Sequence, residues 1–492
     1  MEFIKNTFSN STHRFTLFGR SVSKISIFIL MTFFLLLQKE ANSQTHSNIT
    51  IGTTATTTTG GWSGSGTSID PYKFTPTATT SYILNTDLEA KLNSANGYVL
   101  ITTQISPTGT TVAGTGTVIF STGITGTSTN SSDKTFTITA NSNITINTSC
   151  ILSLTTNTDA ASSKANYSYK VTNLDFTSAT GNIVINSPIK TIPQSTSYAA
   201  KGANGGNVKL TTTIGTITVA SSGSIETNGQ QNTNTVDYFV DTRPFKYPGG
   251  DGGNITLNGI GGIAISGTVT TYGGIEYLSN YIGSYPGSVT VNTNNVSTTG
   301  YFGQTAATTF YAGNFIKKGT GIFEIYSLTF GGRSLANDSV YNAYDTVYAG
   351  TLKLMAANAL TTIGGVSKFA DLYVTGGTAA GGGIFDLGGF NQTVGTISGD
   401  GTITSSSGTP TLSLSYNNNK KTTLISTFSG LLTGSLALYK DYTQNTNSNY
   451  QVNIWNLSNT NTYSNTNTSA YLYPSGVYSS GVGSGGGGGS GA

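Results

Sequence analysis

The chain has 492 residues, 23 Lys and Arg against 20 Asp and Glu, 9% charged residues, 36% hydrophobic residues and 63 glycines. So little charge gives no basic stripe for nucleic acid, and it lacks the high net charge of a disordered polymer. The single Cys150 excludes an intrachain disulfide, and two histidines leave little imidazole chemistry.

Lys5, Arg14, Arg20 and Lys24 precede an apolar run from Ile25 to Leu37, and Ala41-Asn42-Ser43 then supplies small residues before Gln44. Charged, apolar and small segments in that order predict a secretory signal over 1–43, cleaved near Ser43. The apolar run is shorter than the ~20 residues a membrane-spanning helix needs. No cysteine adjoins the cleavage site to carry a lipid. Removing 1–43 takes away five basic and two acidic side chains and leaves 18 of each, so the exported chain is expected to be neutral. His46 is then the remaining histidine, which sets aside Ser–His and Cys–His catalysis and zinc sites built on histidine pairs.

Residues 44–66, rich in Thr and Gly, read as a flexible leader. A turn cluster and a strand follow in GWSGSGTSIDPYKFT. Thr86 and Glu89 have capping-box spacing, and Leu88 and Leu92 follow at helical spacing, which predicts a short helix over 87–93. Such a helix would cap the open first coil of a solenoid. This neighbourhood, from YKFT through the helix to GYVLITTQ, resembles the start of large haemagglutinin-like surface proteins.

From Val99 to Val296 short alternating segments recur, among them TFTITA, NITIN, GNIVIN, GTITVA and GSVTVN. Val208, Ile217 and Ile225 start strands 8 or 9 residues apart, which suits coils of about 20 residues and a stack of roughly 20 coils, about 90 Å long. Cys150 reads as a small buried strand residue. The echo between Gly206-Asn207-Val208-Lys209-Leu210 and Gly253-Asn254-Ile255-Thr256-Leu257 implies two coils plus an inserted loop over 230–250.

That insertion and its flank hold the densest charged set, Asp237, Asp241, Arg243, Lys246 and Asp251. A solvated loop with scattered ion pairs is one reading. The other is a polysaccharide-lyase site, with Asp residues on calcium and Arg or Lys as base, although no acidic run on consecutive coils accompanies it. Gly249-Gly250-Asp251-Gly252-Gly253-Asn254 resembles one copy of a calcium-binding nonapeptide, which needs tandem copies. Its glycines are instead expected to give positive dihedrals at a tight corner. Tyr272, Tyr277, Tyr281, Tyr285 and Tyr301 suggest aromatic ladders inside the solenoid, or a sugar-facing surface. The Thr-rich strands mix Thr with Asn, which argues against a regular ice-binding lattice.

Between Gly319 and Thr404 the alternation is sharpest. Leu352 and Leu354 share one face of GTLKL while Lys353 takes the other, and Phe385 and Leu387 flank Asp386 in the same way. The phrases Ala349-Gly350-Thr351-Leu352-Lys353-Leu354, Ala356-Ala357-Asn358-Ala359-Leu360 and Gly389-Phe390-Asn391-Gln392-Thr393-Val394-Gly395 resemble the autotransporter-associated β-strand repeat of bacterial surface passengers. Leu457 to Ser464 resembles the start of another copy, after Gly430 to Lys440. The resemblance implies a parallel β-helix stalk with surface or adhesive function and no catalytic residues. Asp338-Ser339-Val340 and Asp345-Thr346-Val347 resemble short O-glycan acceptor sequences. After Val482 comes a flexible Gly/Ser tail, and no barrel-forming strands follow it in this sequence, so any membrane attachment is expected through an anchor not present in it.

The expected fold is all-β: a right-handed parallel β-helix with inserted loops and a short N-terminal capping helix. The expected segments are a signal over 1–43, a leader over 44–66, a haemagglutinin-like β-helix over 67–298, a repeat region over 299–480 and a tail over 481–492. The expected function is a secreted or surface-exposed, adhesin-like or structural module, without catalysis or cofactor, with glycans or a host or neighbour cell surface as partners. The alternative is a β-helix lyase or hydrolase acting on acidic glycans, using Asp237, Asp241 and Asp251 with Arg243 or Lys246.

Overall fold

The computed structural model describes residues 46–465 apart from 54–57, 106–113, 129–131, 157–169, 195–201, 231–237, 241–242, 246–249, 274–284, 297–302, 305–309, 332–343, 364–368, 377–381, 416–423, 442–449 and 458–461. The expected signal over 1–43, the tail over 481–492, Tyr277, Tyr281, Tyr301 and the acceptor sequence at 338–340 lie outside the described residues. The described residues fall within one compact unit, His46–Ala492.

The chain is a parallel β-helix with three strand faces. The first face stacks Tyr72–Thr75, Val99–Thr102, Thr135–Ala140, Asn173–Ser178, Val208–Thr212, Ile255–Gly259, Ser288–Asn292 and Asn314–Lys318. It continues through Tyr344–Val347, Asp371–Val374, Ile397–Gly399 and Leu424–Leu432 to Tyr450–Leu457. The second face begins Thr80–Leu84, Asn48–Gly52, Val118–Phe120, Ile144–Ile146, Ile183–Ile185, Thr216–Val219 and Gly262–Ile265, and reaches Thr402–Thr404. The third is an 8-stranded sheet from Ile124–Ser128 to Leu360–Ile363, followed by a 4-stranded one from Gln392–Val394 to Thr462–Asn465. The Gln392 side chain bridges these two sheets, accepting from the Leu360 N–H at 3.0 Å and donating to the Leu360 carbonyl at 3.0 Å.

Alternation in sequence becomes inside and outside. In Val208–Thr212, Val208 and Leu210 are buried while Lys209 is exposed. Because neighbouring rungs are in register, like stacks on like: Ile144, Ile183, Ile217 and Ile263 follow one another on the second face, all fully buried. Each such side chain contributes about 1.5–3 kcal/mol on burial. Among the described residues the fully buried aromatics are phenylalanines, and of the expected tyrosines Tyr272 and Tyr285 are partly exposed. Phe136 and Phe176 meet edge to face at 5.4 Å between centroids, and Phe310 meets Phe315 at 5.6 Å. A phenyl ring leaves no hydroxyl to satisfy in a dry core.

Val208, Ile217 and Ile225 occupy the three faces of a single coil. In this coil about 20 residues cover the three strands alone. Counted through the return loops, equivalent residues in neighbouring coils lie from 18 to 47 apart, so only the shortest coils have the expected length. The 47-residue echo joins adjacent rungs, Val208 against Ile255, so it spans one coil with a large insertion and not two. Thirteen rungs follow one another on the first face from Tyr72 to Tyr450 among the described residues, and at about 4.8 Å per step they rise about 58 Å.

The N-terminal end is covered on every face. Gly61–Ser63 pairs antiparallel with Tyr72–Thr75 on the first face. On the second, Thr59 donates its N–H to the Tyr82 carbonyl at 2.8 Å and its Oγ1 accepts the Tyr82 N–H at 2.7 Å. The helix, Asn85–Leu92, takes the place of a strand on the third face and buries Leu88 and Leu92. It starts earlier than the capping-box spacing implied, and its N-cap, Leu84, makes no side-chain bond. Glu89, expected to close that box, accepts the Thr125 N–H at 2.8 Å instead.

Within the stretch 44–66, expected as a flexible leader, Asn48–Gly52 forms an interior strand with Ile49 and Ile51 buried. Cys150 is buried at a corner, next to Ser149 at positive φ, and burial raises its thiol pKa.

Candidate functional site

The outward side chains of the first face form flat ranks. Thr102, Thr139, Thr177 and Thr211 stand in register, and Asn258, Asn292 and Lys318 extend their row. Beside them run Thr137, Asp175, Lys209, Thr256, Thr290, Ile316, Thr346 and Tyr373. Asp175 and Lys209 neutralise each other at 3.0 Å. Tyr348 is 47% exposed and Tyr373 38% exposed, and the Lys318 ammonium lies 5.6 Å from the Tyr348 ring centroid. The surface is therefore hydroxyl- and amide-rich, with an aromatic step at one end. Four threonines in register become Asn and Lys further on, so the row is not a repeating hydroxyl lattice.

The corner between the third face and the first carries the long connections. On four consecutive coils, residues 157–172, 192–207, 227–254 and 271–287 separate the two faces there. Most other corners are closed in a few residues, as between Thr212 and Thr216 or Ile185 and Pro188. Gly215 permits one such tight corner, because a Cβ there would lie 2.0 Å from the Gly181 carbonyl oxygen of the coil before.

Three of the four long connections have the same neck. Thr191, Thr227 and Thr271 each donate Oγ1 to the carbonyl of Gly206, Gly253 or Gly287, at 2.7, 2.7 and 2.8 Å. The same glycines return their N–H groups to the carbonyls of those threonines. Each connection is thus tied at its base whatever its length. The sequence displayed the glycine half of this device in its GGN echo, but the threonine half needs tertiary pairing to be seen.

Stacked amides hold the necks in register. Asn173 Oδ1 accepts the Asn207 N–H at 2.8 Å, Asn207 Oδ1 that of Asn254 at 2.8 Å, and Asn254 Oδ1 that of Ser288 at 2.9 Å. A second ladder runs from Asn204 Oδ1 to the Asp251 N–H at 2.9 Å, and from Asp251 Oδ1 to the Tyr285 N–H at 3.0 Å. Asp251 is accordingly a rung at the base of the insertion. Gly250 and Gly253 have no positive φ among the described glycines. Their bareness serves close approach, since a Cβ on Gly253 would lie 2.2 Å from the Gly206 carbonyl oxygen.

Within the insertion, Tyr238–Val240 and Arg243–Phe245 pair as an antiparallel hairpin, with Val240 opposite Arg243. Asp237, Asp241 and Lys246 lie outside the described residues, and Arg243 is described in its backbone alone. The five candidates therefore share one connection. The structure places Asp251 in the scaffold beneath it. Among the described residues, no three His, Cys, Asp or Glu side chains converge as a metal-ion site.

Near the same corner, Tyr272 and Tyr311 stack with ring centroids 3.7 Å apart. Burial, and secondarily the neighbouring Tyr272, push the Tyr311 hydroxyl up to about 12. The other strongly shifted groups are interior. Burial lowers Lys317 to about 7, although its ammonium donates to the carbonyls of Lys318, Gly319 and Ala349 at 2.7, 2.9 and 3.2 Å. Asp345 is fully buried and raised to about 8. The Asp345-Thr346-Val347 sequence thus presents Thr346 outward with its aspartate hidden in the core. No family model matches the chain, and no curated protein or solved structure does either.

Proposed function

We propose that the chain is an exported, surface-displayed β-helix of the autotransporter-associated repeat type, which captures a glycan or a neighbouring cell surface without turning it over. What carries this reading is the series of long connections on one corner, three of them tied by a Thr–Gly neck. Closed necks let connections vary in length and composition without disturbing the coils, which suits recognition by loops on a rigid scaffold. The flat, nearly neutral first face lies beside them, and its hydroxyls, amides and exposed Tyr348 and Tyr373 suit extended neutral sugars better than a charged polymer.

The test is capture by purified protein on a glycan array and on bacterial and host cells, compared with a variant in which 231–249 is replaced by a short Gly-Ser link. Capture that weakens at least tenfold in the variant, at unchanged melting temperature, supports the reading. A calcium-dependent rise in ultraviolet absorbance on polyuronate would replace it with a lyase. Capture indifferent to loss of the hairpin and to Tyr348→Ala and Tyr373→Ala would remove the proposed surface.

A further inference from the structure

One strand on the second face is out of chain order. Asn48–Gly52 lies between Thr80–Leu84 and Val118–Phe120, parallel to both, with Ile49 opposite Ser81 on one side and Val118 on the other. On the first face the same two coils touch directly, Tyr72–Thr75 against Val99–Thr102. The two coils are therefore one rung apart on one face and two on another. Asn48–Gly52 fills a wedge that would be about 9.6 Å across without it.

The seat is built on both edges. The N–H groups of Ser47, Asn48 and Ile49 donate to the carbonyls of Thr103, Thr79 and Thr117, each at 2.8 Å, and the Ile51 carbonyl accepts the Ser121 N–H at 2.8 Å. Asn48 Oδ1 takes the N–H groups of Gly116 and Thr117 at 3.1 and 3.2 Å. Ser47 is fully buried beside Ser81, with hydroxyl oxygens 3.2 Å apart.

A solenoid that winds from its N-terminus lays each rung on the one before. This strand cannot be placed so, because its second edge does not exist until Phe120 has been laid down. We propose that the first two coils form a receptor for a β-strand, that the segment 46–52 is its ligand, and that it seats after residues 72–120 have wound. The N-terminal end then closes by strand addition, with main-chain bonds giving affinity and the buried Ile49 and Ile51 giving register.

A full-length Ile49→Asp/Ile51→Asp variant unseats the segment, and synthetic peptides covering 46–54 then probe the vacant seat. The expected result is a lowered melting temperature, restored by the natural peptide and not by one carrying the same two aspartates. A cooperatively folded variant whose melting temperature responds to neither peptide would overturn the proposal. If the variant does not fold, hydrogen exchange on the unaltered chain decides. Amides of Asn48, Ile49 and Ser121 exchanging together, at least tenfold faster than those of Phe136 and Ile138, support a separately seated strand. Exchange of all these amides at one common rate would show that the segment opens only with the coils, and would sink the idea.

Discussion

Asp345 faces inward between Phe315 and Leu372 on adjacent rungs, and neither carboxylate oxygen has a hydrogen-bond partner among the described residues. The buried lysines fare differently. Lys134 reaches the Ser94 carbonyl at 2.9 Å and Lys317 reaches three carbonyls, because a four-carbon stem spans to a corner and an aspartate stem does not. Burial raises the Asp345 carboxyl from 3.8 to about 8, so the folded chain holds a proton that the unfolded chain releases. Its contribution to stability is fully present below pH 3.8 and falls away as pH climbs towards 8. At pH 7 the loss is on the order of 4 kcal/mol. Asp345→Asn is expected to flatten the dependence of urea midpoint on pH between 4 and 7. Asp345→Leu is expected to raise the midpoint at pH 7 as well, since it also removes the unsatisfied polar group. A midpoint lowered at pH 7 by Asp345→Leu would show that the carboxyl is held by a partner.

At the scale of elements, the helix seals a sheet edge through a match of spacings. Glu89 and Asn93 are four residues apart, about 6 Å along a helix, and Thr125 and Thr127 are two apart, about 6.6 Å along a strand. Glu89 Oε1 and Asn93 Oδ1 accordingly accept the N–H groups of Thr125 and Thr127 at 2.8 and 2.6 Å. Glu89→Ala with Asn93→Ala leaves those donors without acceptors at an open edge. The double variant is expected to melt lower and to associate in a concentration-dependent way, read by light scattering. A monomer of unchanged melting temperature would deny the helix its capping role. The necks are separable from the cap: Thr227→Val removes one bond to the Gly253 carbonyl and is expected to cost about 1 kcal/mol in urea unfolding.

Over the whole molecule, stability is carried by contacts between neighbouring rungs, so damage in one coil spreads only through its neighbours. Ile263 stacks on Ile217 midway along the second face. Ile263→Asp is expected to give two calorimetric transitions where the parent is expected to give one, as the coils on either side retain their own stacking. One lowered but undivided transition would mean that the rungs unfold as a unit whatever the site of damage.

The sequence by itself determined the strand alternation, the solenoid, the presence of a capping helix and the place of the great insertion. These follow from period-two patterning, from the helical spacing of Leu88 and Leu92 and from the echo at Gly206 and Gly253, all readable along the chain. The sequence left open how many faces make a coil, because Val208, Ile217 and Ile225 are evenly spaced whether they belong to one turn or several. It misassigned Glu89 to its own helix and 46–52 to a leader, since their partners, Thr125 and the strands 80–84 and 118–120, are remote in the chain. It marked Asp251 as a charged candidate, whereas the ladder from Asn204 to Tyr285 makes it a rung. Only the tertiary structure decided these points, because a side chain's role in a solenoid is set by the residue one coil away, and return loops of unequal length put that residue at no fixed distance along the chain.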